Sequence, residues 1–266
     1  MTLTMIGMAM AAASADKAAH ALQPSGQWTL DYSENSCVLT RPFGSGDEQV
    51  TFGFRLLPNM LASDGLLVQP KRRGAVDGRL LMRIDPGSAR VESRFRTLQG
   101  KDGAAIAIFG IDADDMEKIA AAQQIELNLA GRKIALAAKG MDKAIAATKA
   151  CLDDLLTTWK IDPAINANVA KRPRPVGTPG NWVTDDDYPS GSVVAGEQGS
   201  VTFRLDIDAK GTPSGCTVVA GSGYKALNEA TCELMMKRAR FRPAELADGA
   251  PTPYFYISRF TWRVAY

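Results

Sequence analysis

Residues 199–223 read Gly199-Ser-Val-Thr-Phe-Arg-Leu-Asp-Ile-Asp-Ala-Lys-Gly211, then Thr212-Pro-Ser-Gly-Cys216-Thr-Val-Val-Ala-Gly-Ser-Gly223. Val201, Phe203, Leu205 and Ile207 alternate strictly with Thr202, Arg204, Asp206 and Asp208. A strand sends successive side chains to opposite faces, so this stretch predicts a half-buried strand. Ala209-Lys210-Gly211-Thr212 supplies a turn, with Gly211 free to take a positive φ. A second strand around residues 216–220 completes a hairpin.

Working outward, a helix is expected to run to Lys237. Asn228 is placed as its N-cap, Leu227 and Cys232 as a hydrophobic staple, and Ala230, Leu234 and Met235 as its apolar stripe. Lys237, Arg238 and Arg240 suit the negative end of the helix dipole, and Pro243 stops the helix. Residues 254–264 alternate again: Ser258, Phe260, Trp262 and Val264 against Ile257, Arg259, Thr261 and Arg263. The order strand, strand, helix, strand predicts a small antiparallel sheet with a helix on one face, and an α+β class for the whole chain.

This segment resembles the C-terminal domain of the TonB family of periplasmic energy transducers. The resemblance is carried by Tyr188-Pro189, the strand and turn from Gly199 to Gly211, and Gly221-Ser222-Gly223. Arg240-Phe241-x-Pro243-Ala244 and the Gly249 turn complete it. It covers roughly residues 183–266. Two departures stand out: Ser190-Gly-Ser-Val-Val-Ala-Gly196 is a poor helix former where the family has a helix, and the segment carries two cysteines. The resemblance implies protein–protein binding in the periplasm, with an extended peptide from an outer-membrane receptor, or another envelope protein, added beside the last strand. The implied partner-binding residues are Tyr188, Arg259, Phe260, Thr261 and Trp262. Trp262 shares a face with Phe260 and Val264, so a core role is also open to it. For Arg259 and Arg263, a charged outer face that discourages aggregation competes with a partner-contacting edge.

Upstream, residues 27–160 read as an independent α+β domain. Strands are expected at 50–57, 64–69, 79–84, 88–96, 106–111, 125–129 and 133–138, and helices at 114–123 and 141–159. Its opening, Trp28-x-Leu-Asp-Tyr32 and Cys37-x-Leu-x-Arg41, resembles exported bacterial proteins of unknown function. Residues 161–182, with Pro163, Pro173, Pro175 and Pro179 among Asn, Lys, Arg and Gly, read as an extended linker. Residues 1–15 read as an export signal: an apolar, uncharged run ending in Ala13-Ser14-Ala15, with a second candidate cleavage site at Ala19-His20-Ala21. A membrane anchor is the alternative, although the run falls short of the roughly twenty residues a span requires. The expectation is therefore a periplasmic, TonB-like adaptor that touches a membrane only if that run stays uncleaved.

The four cysteines Cys37, Cys151, Cys216 and Cys232 suit an exported protein and allow three disulfide pairings. Domain logic favours Cys37 with Cys151 and Cys216 with Cys232. Zinc is disfavoured, because no Cys-x-x-Cys pair and no neighbouring histidine are present. The single histidine, His20, lies beside the cleavage sites, which removes imidazole-dependent hydrolysis from the folded part. No phosphate loop or dinucleotide fingerprint appears. No metal, cofactor or catalytic residue is expected, and the net charge of +2 gives no reason to expect nucleic acid. Asp112, Asp114 and Asp115 read as helix-dipole partners, Asp185-Asp186-Asp187 as a solvated run rather than a calcium loop, and Lys71-Arg72-Arg73 as a basic loop. Two rivals of other kinds remain open: a periplasmic enzyme working through carboxylates, and a peptidoglycan-associated envelope protein.

Overall fold

A computed structural model of the chain describes residues 20–58, 63–70, 77–87, 89–100 and 102–264. The export-type run at 1–15 and the basic triplet at 71–73 lie outside them. No helix among the described residues is long and apolar enough to cross a membrane.

The first part of the chain builds nine strands: β1 (Thr29–Ser33), β2 (Ser36–Phe43), β3 (Val50–Leu56), β4 (Ser63–Gln69), β5 (Gly78–Asp85), β6 (Ala89–Gln99), β7 (Ala105–Ile111), β8 (Gln124–Leu129) and β9 (Arg132–Ala137). They form one antiparallel sheet in the order β1-β2-β3-β4-β7-β6-β5-β8-β9. The alternation along β3 explains its inward face, where Val50, Phe52, Phe54 and Leu56 are buried. Opposite them, Gly65 leaves room for Phe109: a Cβ at Gly65 would sit 2.1 Å from that ring.

The segment before β1 joins the two ends of this sheet. Leu22 exchanges backbone hydrogen bonds with β9, at 2.8 Å to the Ala135 carbonyl and 3.0 Å from the Ala137 amide. Ser25 then donates to the Pro42 carbonyl at 3.0 Å, and Gln23 accepts from Gly44 at 2.9 Å. Backbone hydrogen bonds thereby run from β9 through this segment to β2, and they occupy the outer edge of β9 at Ala135 and Ala137, which would otherwise invite pairing with another chain.

Three helices pack into the same core: α1 (Ala113–Ala120), α2 (Met141–Ala147) and α3 (Lys149–Thr158). Asp112 caps α1 by accepting from the Asp115 amide at 2.8 Å, which accounts for part of the acidic cluster there. Residues 141–159, expected as one helix, are two. The break falls at Thr148, a fully buried residue whose hydroxyl donates to the Ile145 carbonyl at 2.6 Å. A hydroxyl that bonds its own backbone competes with the helical pattern and bends the chain at that point. Cys151 on α3 is bonded to Cys37 on β2.

The remainder builds α4 (Pro163–Asn168), β10 (Val169–Lys171), β11 (Arg174–Pro175), α5 (Ser190–Val194), β12 (Gly199–Ile207), β13 (Pro213–Ala220), α6 (Lys225–Arg238), β14 (Phe241–Arg242), β15 (Ala244–Leu246), β16 (Pro251–Thr252) and β17 (Tyr254–Trp262). Antiparallel β13-β12-β17 is the sheet expected from sequence, and α6 packs on its apolar face. Val201, Phe203, Leu205 and Ile207 lie under the helix with Leu227 and Met235, all buried.

Three local expectations need correction. The helix starts a turn earlier than Asn228, and Tyr224 occupies its N-cap position. Asn228 instead turns back on the glycine-flanked loop: its Oδ1 accepts from the Ser222 amide at 2.8 Å and from the Ser222 hydroxyl at 3.0 Å. Leu227 is therefore a core residue of the first turn rather than half of a staple. Second, the poor helix former 190–196 does begin with a short helix. Its Ser192 hydroxyl donates to Glu197 at 2.6 Å, a contact that offsets weak intrinsic propensity. Third, the proline-rich stretch read as an extended linker carries α4, β10 and β11. β10 pairs with β15 and β11 with β14; Pro175 sits in the short β11 pairing, while Pro163 opens α4, where its missing amide proton costs no helical bond.

Candidate partner-binding site

β17 is an outer strand. Its register runs from Tyr254 opposite Ile207 to Trp262 opposite Gly199, and β12 is its sole strand partner among the described residues. The other edge of residues 256–262 meets no backbone hydrogen-bonding partner among the described residues.

The side of β17 facing α6 is aromatic. Tyr256 lies 4.8 Å from the Phe241 ring, and Phe260 meets Trp262 edge-on at 4.9 Å. Trp262 is buried, and its indole nitrogen donates to the Thr231 hydroxyl at 2.9 Å, so both its apolar body and its polar atom are satisfied inside. Tyr188 packs edge-on against Trp262 at 5.0 Å, and its hydroxyl donates to the Glu197 carbonyl at 2.5 Å. Of the five residues assigned to partner binding, Tyr188 and Trp262 thus brace the strand from beneath, and Phe260 is half-buried beside them. The bland core reading of Trp262 accounts for its side chain.

Just before Tyr188, the acidic run is structural rather than merely solvated. Arg238 grips Asp187 bidentately, at 2.5 and 2.7 Å, and also donates to the Trp182 carbonyl at 3.0 Å. Thr184 adds amide and hydroxyl donors to the same carboxylate at 2.7 and 2.8 Å. The Arg238 hydrogen bonds first, and the Thr184 amide second, hold the Asp187 carboxyl well below the usual carboxylate range.

Arg259 and Thr261 point the other way, toward the nine-stranded sheet. Arg259 pairs with Asp64 on β4, and its Nε donates to the Thr202 hydroxyl at 3.1 Å. Asp64 is 4 % exposed and also takes Arg55 at 3.2 Å, so one buried carboxylate is shared by two guanidinium groups. Gly110 stands opposite Asp64 in the β4–β7 register, and a Cβ there would lie 3.4 Å from the Arg259 guanidinium. Nearby, Trp159 packs edge-on against Phe255 at 5.3 Å, and Arg204 lies 4.5 Å over the Trp159 ring. Leu57, Leu156 and Ile257 fill the same contact. Of the two arginines that sequence left open between a charged outer face and a partner contact, Arg259 has an intramolecular partner in Asp64 and Arg263 is exposed.

Sequence reading missed Asp64, Arg55 and Arg96. Their relation to β17 depends on two distant segments meeting; locally, Asp64 merely leads into Gly65-Leu-Leu-Val68. Arg96 reaches the Gly221 carbonyl at 3.4 Å, and burial, then the neighbouring Arg259, pushes its guanidinium below the ordinary value. Thr261 shares a hydrogen bond with the Ser200 hydroxyl at 2.8 Å and remains exposed. Both disulfides take the pairing that domain logic favoured, Cys216 with Cys232 fastening β13 to α6.

No curated protein and no solved structure matches the chain. Residues 185–264, from the acidic turn that Arg238 clamps to two residues past β17, match the family model of the Gram-negative bacterial TonB protein C-terminal.

Proposed function

We propose that the C-terminal unit, taken as residues 183–266, is a protein-interaction module of the bacterial envelope that receives an extended segment of an outer-membrane receptor along the outer edge of β17. The carrying observation is that edge: residues 256–262 are paired on one side, and the strand is held by the aromatic packing of Phe260, Trp262 and Tyr188 beneath it. Strand addition draws its affinity from main-chain donors and acceptors, so a rigid, half-paired strand suits it, while flanking side chains set register. Residues 27–160 act as a second unit that packs on one end of the sheet's polar face, at Phe255 and Ile257, and leaves the edge open. The chain is read as periplasmic, and as a binder rather than an enzyme.

The test is a photoreactive phenylalanine analogue at position 260, introduced in cells, with a second probe at exposed Tyr32 on β1 as comparison. An outer-membrane receptor captured from position 260 and not from position 32 is the expected result. Crosslinks confined to the chain itself, or an identical set from both positions, would overturn strand addition.

A further inference from the structure

Between the nine-stranded sheet and the C-terminal sheet lies a cleft of about 920 Å³, a size suited to a substantial ligand. Its lining carries five arginines (55, 94, 96, 259 and 263) against two aspartates (64 and 77). Both carboxylates are already engaged: Asp64 by Arg55 and Arg259, and Asp77 by the Thr97 amide at 3.1 Å. Arg94, Arg96 and Arg263 have no ion pair among the described residues. An excess of guanidinium groups in a walled cleft, where water screens poorly, favours an anionic occupant.

The spacing of these groups narrows the chemistry. On one wall, β6 presents Arg94, Arg96 and Leu98 as alternate residues; on the other, β17 presents Arg259 and Thr261, continued by Arg263. Alternate residues of a strand recur about every 6.6–6.8 Å, the repeat at which an extended peptide shows the side chains of one face. Guanidinium forks match carboxylates in a bidentate geometry. Leu98 and Tyr224, 38 % and 39 % exposed, add apolar surface for the intervening part of such a chain.

We propose that this cleft binds an extended acidic peptide whose carboxylates fall at alternate positions. The site uses the face of β17 and not its edge, so it stands or falls apart from strand addition.

The test uses the full chain and rhodamine-labelled hexapeptides followed by fluorescence anisotropy: alternating Thr and Glu, the same chain with Gln for Glu, and a block isomer with the three Glu contiguous. The alternating peptide is expected to bind at least about tenfold more tightly than the Gln peptide, the factor of one charge-assisted hydrogen bond, and more tightly than the block isomer. The double variant Arg94→Gln, Arg263→Gln is expected to lose about tenfold or more, and the Arg94→Lys, Arg263→Lys pair less. As a check independent of any variant, the wild-type amides of Ser93 and Thr261 are expected to shift on titration. Equal binding of the block or Gln peptide, an unchanged double variant, or unmoved cleft amides would each overturn the proposal. So would displacement by inorganic phosphate or phosphatidylglycerol vesicles at lower concentration than the Gln peptide needs, which would assign a general anion or lipid site.

Discussion

At Gly211 the chain takes φ of +81°, and its carbonyl accepts from the Phe241 amide at 2.8 Å. A Cβ there would lie 1.9 Å from the Phe241 carbonyl oxygen, so the turn glycine and the Arg-Phe-x-Pro segment are two sides of one contact. Gly211→Ala combines a disfavoured backbone region with a clash against main chain, and is expected to cost more than about 1 kcal/mol of stability, read by urea unfolding. Asp187 gives a pH prediction. Its folded-state value is depressed by Arg238, so its contribution is fully present above the unfolded value of about 3.9 and fades as pH falls through the lower folded value. Asp187→Asn is expected to destabilise the C-terminal unit at neutral pH and to flatten the loss of stability on acidification below about pH 4, checked by thermal melts across pH. Asp64 offers a contrast, because it serves two arginines in a buried setting. Asp64→Asn leaves both guanidinium groups without their carboxylate and is expected to destabilise more than Arg259→Gln, which leaves the Arg55 pair intact.

At the scale of elements, β17 and α6 carry the C-terminal unit, and the Cys216–Cys232 bond fastens the helix to the hairpin across a separation of 16 residues. A closed loop of that length is worth about 3 kcal/mol in the chain-entropy account, so Cys216→Ser with Cys232→Ser is expected to lower the urea midpoint accordingly. The strands were legible because alternation is a local property: Val201 to Ile207 shows the same two-residue period in sequence that it shows in burial. The start of α6 was not legible from Asn228. A cap-forming side chain is equally able to serve a neighbouring turn, and the Ser222 amide decided which. The break at Thr148 was hidden for a similar reason, since threonine at a helix position declares its back-bond only once the site is buried.

For the whole molecule, the consequential contact is between units. Trp159, Phe255 and Ile257, with Arg204 on the Trp159 ring, bury one end of the polar face of the C-terminal sheet against the first unit. Trp159→Ala is expected to cost about 3–5 kcal/mol at that junction. Amide exchange should accelerate in β12 and β17 while the interior strands β3 and β7 stay protected, and uniform acceleration would show that the junction is not a separable element.

Sequence by itself determined the strand–strand–helix–strand order of the closing segment, the strands β3 to β9 of the first unit and the TonB-like resemblance of residues about 183–266. These rest on near-neighbour periodicity and on glycines and prolines at fixed offsets. Tertiary structure alone decided the closure of the nine-stranded sheet through Leu22–Ser25 and the destination of Arg259, and it fixed the cysteine pairing that domain logic favoured among three. The physical reason is the same for all three. Each depends on which distant groups share a low-dielectric or hydrogen-bonding neighbourhood, and an alternating polar face looks identical in sequence whether water or another sheet lies across from it.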